Sequence, residues 1–340
     1  MPDQEPTQHR IAIVGAGLIA EGVHLPRLTK RSDAEVAVII DRDRSRAEHL
    51  AAKFGVADAQ SDFEVVLADA SIDVVDLCTP PTFHAEQLSA AIAAGKRVIL
   101  EKPVATTLKE AERLAQAAAG YDRTVMIAEN WVYSSSARWL LRIIREGRVG
   151  DVYLWTSRHE SDHRLASGGQ PDWNYRLGQS GGGYLMQAGT HPVTLARHLF
   201  GEIDSVMAVS PQAAGDGSPF LDDDMAVLLQ FRSGVTGNLI LTSRSRRTSD
   251  RVLSQSVFGT EGVAEVDILT GAVRLWPQSS PAEAQLSMGY DEEFDHFFEC
   301  VRSGREPLTS ITDQVETIRT ITAIYQAAAL GTRVELRAVS

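Results

Sequence analysis

Short apolar runs alternate with segments of helical periodicity between Arg10 and Ala128. Apolar runs bounded by glycine, proline or acidic residues are typical of buried strands, whereas apolar residues three and four positions apart indicate helices. The pattern predicts strands at residues 10–14, 36–40, 73–78, 97–100 and 124–128, and helices at residues 44–54, 63–69, 84–94 and 108–119. Strands and helices that alternate in this way form a doubly wound parallel sheet, so we expect an α/β Rossmann domain.

The pattern changes after Trp131. A predicted helix at residues 137–146 is followed by alternating polar and apolar residues from Val152 onward. Alternation with period two and short turns predicts an antiparallel sheet. Further strands are predicted at residues 205–210, 225–231, 237–242, 254–259, 262–267 and 272–275, and helices at residues 190–199, 294–302 and 311–329. The helices would cover one face, which predicts an α+β domain with a largely antiparallel, open-faced sheet.

The length of 340 residues also favours two domains, because a chain of this size exceeds one comfortable core. We divide it into a disordered lead-in at residues 1–9, a Rossmann domain at residues 10–129 and an α+β domain at residues 130–340. The lead-in is polar and contains Pro2 and Pro6, without the apolar segment of a secretory signal.

The composition indicates which classes of partner the protein does not favour and in which compartment it is expected. The formal net charge of −12 opposes binding to nucleic acid or to an anionic membrane surface, since polyanions require a basic face. The two cysteines, Cys78 and Cys300, form no Cys-x-x-Cys pair, so we expect a reducing, cytoplasmic location. No apolar run is long enough to span a bilayer.

A glycine turn follows the first predicted strand. Gly15 and Gly17 are followed by Ala20 in the pattern Gly-x-Gly-x-x-Ala, and Leu18 and Ile19 begin a helix. The unpaired N–H groups at such a helix start suit a pyrophosphate, and the pattern is a dinucleotide-binding fingerprint. The sequence therefore predicts a bound dinucleotide.

An acidic residue in the expected place supports this reading. Asp41 ends the second predicted strand, 21 positions after Ala20, where a carboxylate can accept the ribose hydroxyls. Its charge would repel a 2′-phosphate and favours NAD, while the adjacent Arg42 leaves NADP possible. The ends of the other parallel strands, at Thr79, Glu101 and Glu129, should converge on the same crevice.

Several motifs occur in an order that resembles the glucose-fructose oxidoreductase, inositol dehydrogenase and MocA family across nearly the whole chain. They are Gly15 to Ala20, Cys78-Thr-Pro-Pro81 with His84, Glu101-Lys102-Pro103, the segment from the glycines at 181–183 to His191, and Gly304-Arg-Glu-Pro307. The resemblance implies an NAD(P)-dependent oxidoreductase acting on a sugar, inositol or related polyol. It also implies that the C-terminal domain builds the substrate site and forms a homodimer or homotetramer through its sheet.

The resemblance assigns catalysis to Lys102, which would contact cofactor and substrate, and to His191, which would move the hydroxyl proton. Oxidising a secondary alcohol requires a base near the hydroxyl, and histidine can act near neutral pH. Lys102 could accept a proton or polarise the oxygen, and Pro103 directs it into the crevice. We predict cofactor contacts from Gly15, Gly17, Leu18, Ile19, Ala20, Asp41, Arg42, Thr79, Pro80, His84, Glu101, Lys102 and Asn130.

Two positions depart from the family pattern. Members commonly carry aspartate four residues before the histidine and three after it, but this chain has Gln187 and Thr194. Glutamine can hydrogen-bond but cannot take up a proton, so the sequence leaves a relay of Lys102 and His191 alone. Alternatives are therefore a reductase with lysine as proton donor, a redox-neutral NAD-dependent glycosidase and a non-catalytic NAD- and sugar-binding regulator.

The remaining candidates concern the substrate. We predict contacts from Tyr133, His163, Trp173, Arg176, Gln187 and His191. Residues 159–163 match the zinc-protease pattern His-Glu-x-x-His, which requires a helix, whereas this segment follows a strand. We interpret it as a loop that either contacts the substrate or lies on the surface. Asp222, Asp223 and Asp224 are expected in a solvated loop. We predict no metal site.

Overall fold

The computed structural model describes residues 8–162, 179–211, 222–245, 251–277, 282–283 and 287–336. The chain divides into two compact units. The first contains the described residues up to Ala105 together with residues 109–128 and 293–315. The second contains residues 106–108, and the described parts of residues 129–292 and of the segment from Glu316 onward.

The first unit is built on a six-stranded parallel sheet with the order β3-β2-β1-β4-β5-β6. Its strands are β1 (His9–Val14), β2 (Ala34–Ile40), β3 (Asp58–Gln60), β4 (Val74–Leu77), β5 (Arg97–Glu101) and β6 (Val125–Ala128). The central strands are buried over nearly their whole length because parallel sheets are covered on both faces. The order in which strands are added to the sheet reverses between β1 and β4. Doubly wound sheets bind ligands in the crevice at such a reversal.

Helices connect these strands. They are α1 (Leu25–Leu28), α2 (Arg44–Phe54), α3 (Phe63–Ala68), α4 (His84–Ala93) and α5 (Leu108–Ala117), with a π-helical turn at Ala20–His24 and a 3-10 turn at Pro81–Phe83. Asp43 and Asp62 cap α2 and α3 by accepting hydrogen bonds from the backbone N–H groups of Ser45 and Glu64. Gly55 ends α2 in the left-handed conformation that glycine adopts without strain.

A late segment of the chain completes the core of the first unit. Phe294, Phe297 and Phe298 lie on the helix α8 (Tyr290–Ser303) and are fully buried. They pack in one cluster with residues of the parallel sheet, among them Ile11 and Ile39. The Rossmann core therefore depends on side chains that are almost 300 residues from its first strand.

The second unit is built on a nine-stranded sheet with the order β14-β13-β12-β11-β7-β10-β9-β8-β15. Its strands are β7 (Val152–Glu160), β8 (Ile203–Val209), β9 (Asp224–Phe231), β10 (Thr236–Thr242), β11 (Val252–Gly259), β12 (Val263–Asp267), β13 (Ala272–Trp276), β14 (Ala282–Glu283) and β15 (Val334–Glu335). Neighbouring strands are antiparallel except for β7 and β10. The helices are α6 (Ser135–Arg145), α7 (Thr190–Phe200) and most of α9 (Ile311–Leu330).

The two faces of this sheet differ. Trp155 and Leu239 are buried on one face, and the buried residues of β10 alternate with more exposed residues on the other. The open face carries a row of paired residues, Leu154, Phe258, Val263 and Trp276, across four strands. Met207 and Leu228 form an exposed pair on β8 and β9.

The expected fold class is confirmed, with a parallel Rossmann sheet and a second, mostly antiparallel sheet. Three short strands, β3, β14 and β15, escaped the sequence analysis because two or three residues carry no measurable period. In the part of the chain that the structure describes, every helix is too short or too polar to cross a membrane.

Candidate active site

The glycine turn after β1 has the geometry of a phosphate cradle. Gly15 has a φ of 103°, and a Cβ there would lie 2.6 Å from the carbonyl oxygen of Cys78. A Cβ at Gly17 would meet no described atom within 4 Å, so the backbone of the turn borders open space. Ala20 replaces the third glycine of the fingerprint and is fully buried in the core. Its methyl group therefore fits between the helix and the strand.

A cavity of about 280 Å³ opens beside this turn. Its lining comes from the turn, the helix that follows and the start of α2: Ala16, Gly17, Leu18, Glu21, Ser45, Arg46, His49 and Leu50. Leu18 is exposed at the turn, and Ile19 is partly buried against the core. Open space next to unpaired helix N–H groups suits a phosphate-bearing ligand.

Asp41 is held by two backbone hydrogen bonds at the end of β2. Its Oδ2 accepts from the N–H of Ala16 at 2.8 Å, and its Oδ1 accepts from the N–H of Asp43 at 2.9 Å. Arg46 donates to the carbonyl oxygen of Ala16 at 3.0 Å, whereas Arg42 is exposed. The carboxylate is therefore fixed beside the glycine turn, where a ribose diol would bind.

We expect Asp41→Asn to weaken the preference for NAD over NADP at least about tenfold, because it removes the charge that repels a 2′-phosphate. Asparagine retains an oxygen that can accept from the N–H of Ala16. The measurement is the ratio of dissociation constants for NAD and NADP by titration calorimetry. Asp43→Asn is the control, since asparagine caps α2 as well as aspartate does. An unchanged ratio in Asp41→Asn would contradict the assignment.

His84 joins the loops that follow β4 and β5. It is fully buried, with Nδ1 2.8 Å from the carbonyl oxygen of Pro103 and Nε2 2.8 Å from that of Thr79. Burial lowers the pKa of His84 even though both carbonyl oxygens favour the charged ring. Both ring nitrogens face the protein backbone, so His84 fixes the two loops relative to each other. Pro80 precedes the 3-10 turn in an extended conformation.

Lys102 follows a glutamate that is itself held by a buried histidine. Glu101 accepts from Nε2 of His24 at 3.0 Å and from the backbone N–H of Lys102 at 3.1 Å. Nδ1 of His24 lies 2.7 Å from Oδ2 of Asp76, and the ring meets Phe294 edge-on. His24 thus links the ends of β4 and β5 at the position of Lys102.

Charges within this cluster balance one another. Burial alone would lower the pKa of His24, but Asp76 outweighs it and raises that pKa well above its usual value. Burial, the largest single influence, would raise the pKa of Glu101, but the hydrogen bond and charge of His24 together with the charges of Lys102 and His84 lower it. Burial raises the pKa of Cys78 to about 12, so its thiol stays protonated beside His24 and Asp76. His24, Asp76 and Cys78 lie close enough to hold a metal ion, but the ring of His24 hydrogen-bonds to carboxylates on both sides.

In the second unit, the glycines at 181–183 leave room for close contacts. A Cβ at Gly182 would lie 2.5 Å from the Tyr325 hydroxyl, and one at Gly183 would lie 2.4 Å from Oδ1 of Asp222. Asp222 accepts from the N–H groups of Gly183 and Leu185 and from the Tyr325 hydroxyl. These bonds fix the start of the helical segment that leads to His191.

The expectation of a solvated loop at Asp222 to Asp224 is therefore wrong. Asp222 and Asp223 are buried, and burial raises the pKa of Asp222 despite its three donors. Asp223 accepts from the hydroxyl of Ser243 at 2.7 Å. The carboxylates are buried because helix N–H groups and hydroxyls supply the hydrogen bonds that water would otherwise make.

His191 lies in the first turn of α7 within a stack of aromatic rings. Trp131 stacks on His191 with ring centroids 5.2 Å apart, and it also stacks on His159 at 5.4 Å. Nδ1 of His191 lies 2.5 Å from Oε1 of Glu129, which is fully buried at the end of β6. A histidine, a carboxylate and an indole thus form one cluster in the second unit.

Comparison with known proteins places this geometry in a family. Residues 9–129 match the family described as oxidoreductases with an NAD-binding Rossmann fold, and residues 137–265 match the GFO/IDH/MocA C-terminal domain. The chain belongs to the Gfo/Idh/MocA oxidoreductase family.

Relatives with assigned activities cover most of the chain. D-glucoside 3-dehydrogenase of Escherichia coli is 27% identical, over 96% of this chain and 97% of its own length. A dTDP-3,4-didehydro-2,6-dideoxy-alpha-D-glucose 3-reductase of Saccharopolyspora spinosa is 30% identical, over 68% of this chain and 67% of its own length. The solved structure of GenD2 from gentamicin A biosynthesis in complex with NAD has a TM-score of 0.84, is 26% identical and covers 99% of each chain.

The first unit fits the NAD that membership of the Gfo/Idh/MocA family implies. The decisive features are the Gly15 backbone, which a Cβ would obstruct, and the open space over Gly17. Asp41 supplies an acceptor for the ribose hydroxyls, and the helix start supplies N–H donors for the pyrophosphate.

The two positions that depart from the Gfo/Idh/MocA pattern are both hydrogen-bonded. Nε2 of Gln187 donates to the carbonyl oxygen of Ser180 at 3.3 Å. Thr194 is fully buried, with its hydroxyl 2.9 Å from that of Thr317. Thr194 therefore serves the packing of α7 against α9.

Other predicted contacts are placed as follows. The amide of Asn130 donates to the carbonyl oxygen of Met288 at 2.7 Å, and Tyr133 is buried at the end of a second 3-10 turn, Asn130–Tyr133. Their roles in binding stay predictions. His159 lies on strand β7, which has the wrong geometry for a His-Glu-x-x-His zinc site. The substrate candidates His163, Trp173 and Arg176 lie outside the described residues.

Three residues of the candidate site had no role in the sequence analysis. Glu129 was noted only as a strand end, although an acidic residue at that edge was a usable signal. His24 follows the fingerprint on a π-helical turn, whose insertion shifts side chains off the ordinary helical period. Asp222 caps a helix about 40 residues earlier in the sequence, a pairing that spacing cannot reveal.

Proposed function

We propose that this protein is an NAD-dependent dehydrogenase or reductase that transfers a hydride between nicotinamide and a secondary alcohol or ketone carbon of a sugar, inositol or related polyol. The observation that carries the proposal is the pairing of His191 with buried Glu129 in a chain that also has the NAD-binding turn. The sugar-directed activities in the names of the relatives support the substrate class.

We assign the proton transfer to His191. When bound, NAD supplies the hydride acceptor at the substrate carbon. The hydroxyl on that carbon must lose its proton, and His191 has one ring nitrogen on Glu129 and a side chain that keeps 14% of its surface exposed. It can therefore accept the proton from the substrate oxygen.

Lys102 is assigned to the substrate oxygen and the cofactor. Its backbone is fixed by Glu101 on one side and by Pro103 on the other. A lysine held in place at a strand end can donate hydrogen bonds to an alkoxide-like oxygen and stabilise its developing charge. Lys102 and His191 belong to different units, so their action on the same oxygen is part of the proposal.

Two other functions compete with the proposed one and are distinguished by experiment. Gln187 and Thr194 replace proton-carrying aspartates, which favours a non-catalytic NAD- and sugar-binding regulator or a redox-neutral NAD-dependent glycosidase. Glu129 weakens this argument, because it supplies His191 with a carboxylate from another part of the chain.

The test is absorbance at the band of reduced nicotinamide, with purified protein and NAD mixed with inositols, aldoses, sugar acids and glycosides. We expect a substrate-dependent rise with at least one sugar or polyol. Thermal shift with NAD alone is the control for cofactor binding. Binding without any absorbance change would reject the dehydrogenase, and product analysis would then separate a glycosidase from a regulator.

We also propose a homodimer or homotetramer assembled through the open face of the second sheet. The row from Leu154 to Trp276 and the exposed pair Met207 and Leu228 form an apolar surface of the kind that marks protein contacts. A cytoplasmic location belongs to the same proposal, and the two buried free cysteines agree with a reducing compartment.

A further inference from the structure

We propose that Glu129 is a positioning residue that holds His191 with its proton on Nδ1 and directs Nε2 to the substrate hydroxyl. This inference rests on the proposed function, since it concerns the same proton transfer.

Because Glu129 is buried, its carboxylate depends on the hydrogen bond to His191. Glu129 is fully buried, and no described residue hydrogen-bonds to its Oε2. A buried carboxylate without a donor is very unfavourable, so the ionised side chain depends on the contact at Oε1. For an ionised Glu129, Nδ1 of His191, which lies 2.5 Å from Oε1, must therefore carry the proton.

The ring of His191 is restrained in two ways. Trp131 stacks on the imidazole with an angle of 13° between the planes, which fixes the plane of the ring. Glu129 then fixes the rotation of the ring within that plane. No described residue hydrogen-bonds to Nε2, so this nitrogen is available as the acceptor when Nδ1 carries the proton.

The charge balance follows from this arrangement. The proton of the substrate hydroxyl moves to Nε2, and the ring becomes an imidazolium that still donates from Nδ1 to Glu129. The carboxylate keeps its charge and stabilises the imidazolium. Glu129 does not contact the substrate, which is why it acts only by positioning.

The carboxylate partner of His191 comes from a distant part of the sequence. Gln187 and His191 are four residues apart and share one helical face, whereas Glu129 is 62 positions away. Glu129 begins the 3-10 turn that also carries Trp131. One short segment therefore supplies both the carboxylate and the stacking ring.

The experiment compares Glu129→Gln and Glu129→Asp with wild type. We expect Glu129→Gln to lower kcat about 10²- to 10³-fold, with KM for the substrate and Kd for NAD changed less than about threefold. Glu129→Asp should recover part of kcat, because it restores the charge but not the length. Glu293→Gln, at another buried glutamate, is the matched control for loss of a buried carboxylate.

A second measurement needs no cofactor and is made on wild type, with a variant used only to assign the signal. Ring ¹⁵N shifts of labelled histidine in wild type without NAD report the tautomer, and His191→Gln identifies the signal among the nine histidines. At a pH where the ring is neutral, we expect the proton on Nδ1 of His191. A proton on Nε2 would overturn the proposal, as would full kcat in Glu129→Gln.

The two hypotheses fail in different ways. If no sugar or polyol is oxidised by wild type, the proposed function fails, and the ¹⁵N measurement still decides whether Glu129 sets the tautomer. If wild type turns over substrate and Glu129→Gln does so equally well, the proposed function stands and the role of Glu129 is rejected.

Discussion

Replacing Lys102 with alanine is expected to lower kcat by about 10³-fold or more, while the dissociation constant for NAD stays within about threefold of wild type. The reason is that the ammonium group is assigned to the substrate oxygen, where charge develops only during the reaction. NAD affinity depends mainly on the glycine turn and Asp41, which the substitution does not touch. The measurement combines steady-state kinetics on the best substrate with calorimetric titration of NAD.

Two further variants sharpen this prediction. Lys102→Arg keeps the positive charge but cannot give up a proton at accessible pH, so partial recovery of kcat would assign polarisation to Lys102. No recovery would assign proton transfer. Lys30→Ala removes an exposed lysine of the same unit and should leave kcat unchanged. Wild-type kcat in Lys102→Ala would refute any catalytic role.

His24→Gln is expected to lower the free energy of unfolding by about 3–5 kcal/mol. The substitution leaves Asp76 and Glu101 buried without the cation that lies between them. A glutamine amide is neutral and reaches at most one of the two carboxylates well. Urea denaturation of variant and wild type measures the effect, with His49→Gln at an exposed position as the control.

The pKa shifts define the pH range of this effect. His24 has a raised pKa, so its contribution is complete below the usual value of 6.5 and is lost as the pH rises through the raised pKa. Glu101 has a lowered pKa, so its contribution is present above its usual value of 4.5 and is lost as the pH falls through the lowered one. The difference in the free energy of unfolding between wild type and His24→Gln should therefore be largest between the usual pKa values of 4.5 and 6.5. It should become smaller at alkaline pH. A difference that does not change with pH would show that packing alone is responsible.

Local patterns were sufficient for most of the fold. The apolar run before Gly15 and the alternating apolar residues in the strands of the second sheet are clear in the sequence. Each pattern reflects a strand that is buried on both faces or on one face. The chemistry of Asp41 could also be predicted, since fingerprint and acidic residue lie in one βαβ unit.

Long-range pairing set the limit of the sequence analysis. Nothing near His191 indicates that its carboxylate partner is Glu129, because the two are joined only by the folding of the second unit. Asp222 looked like a solvated acidic residue because its backbone donors come from Gly183 and Leu185. The helical period of residues 294–302 reveals an apolar face but not that this face covers the Rossmann sheet.

That late helix also has a consequence for synthesis on the ribosome. The first unit has its parallel strands complete at Ala128, but its core lacks Phe294, Phe297 and Phe298 until residues beyond 293 have been made. At typical elongation rates of 5–20 residues per second, the nascent Rossmann sheet waits roughly 10–30 s for its last apolar cover. During that interval an apolar surface of the dinucleotide-binding unit is accessible to chaperones, and chains that end before α8 would leave it exposed permanently.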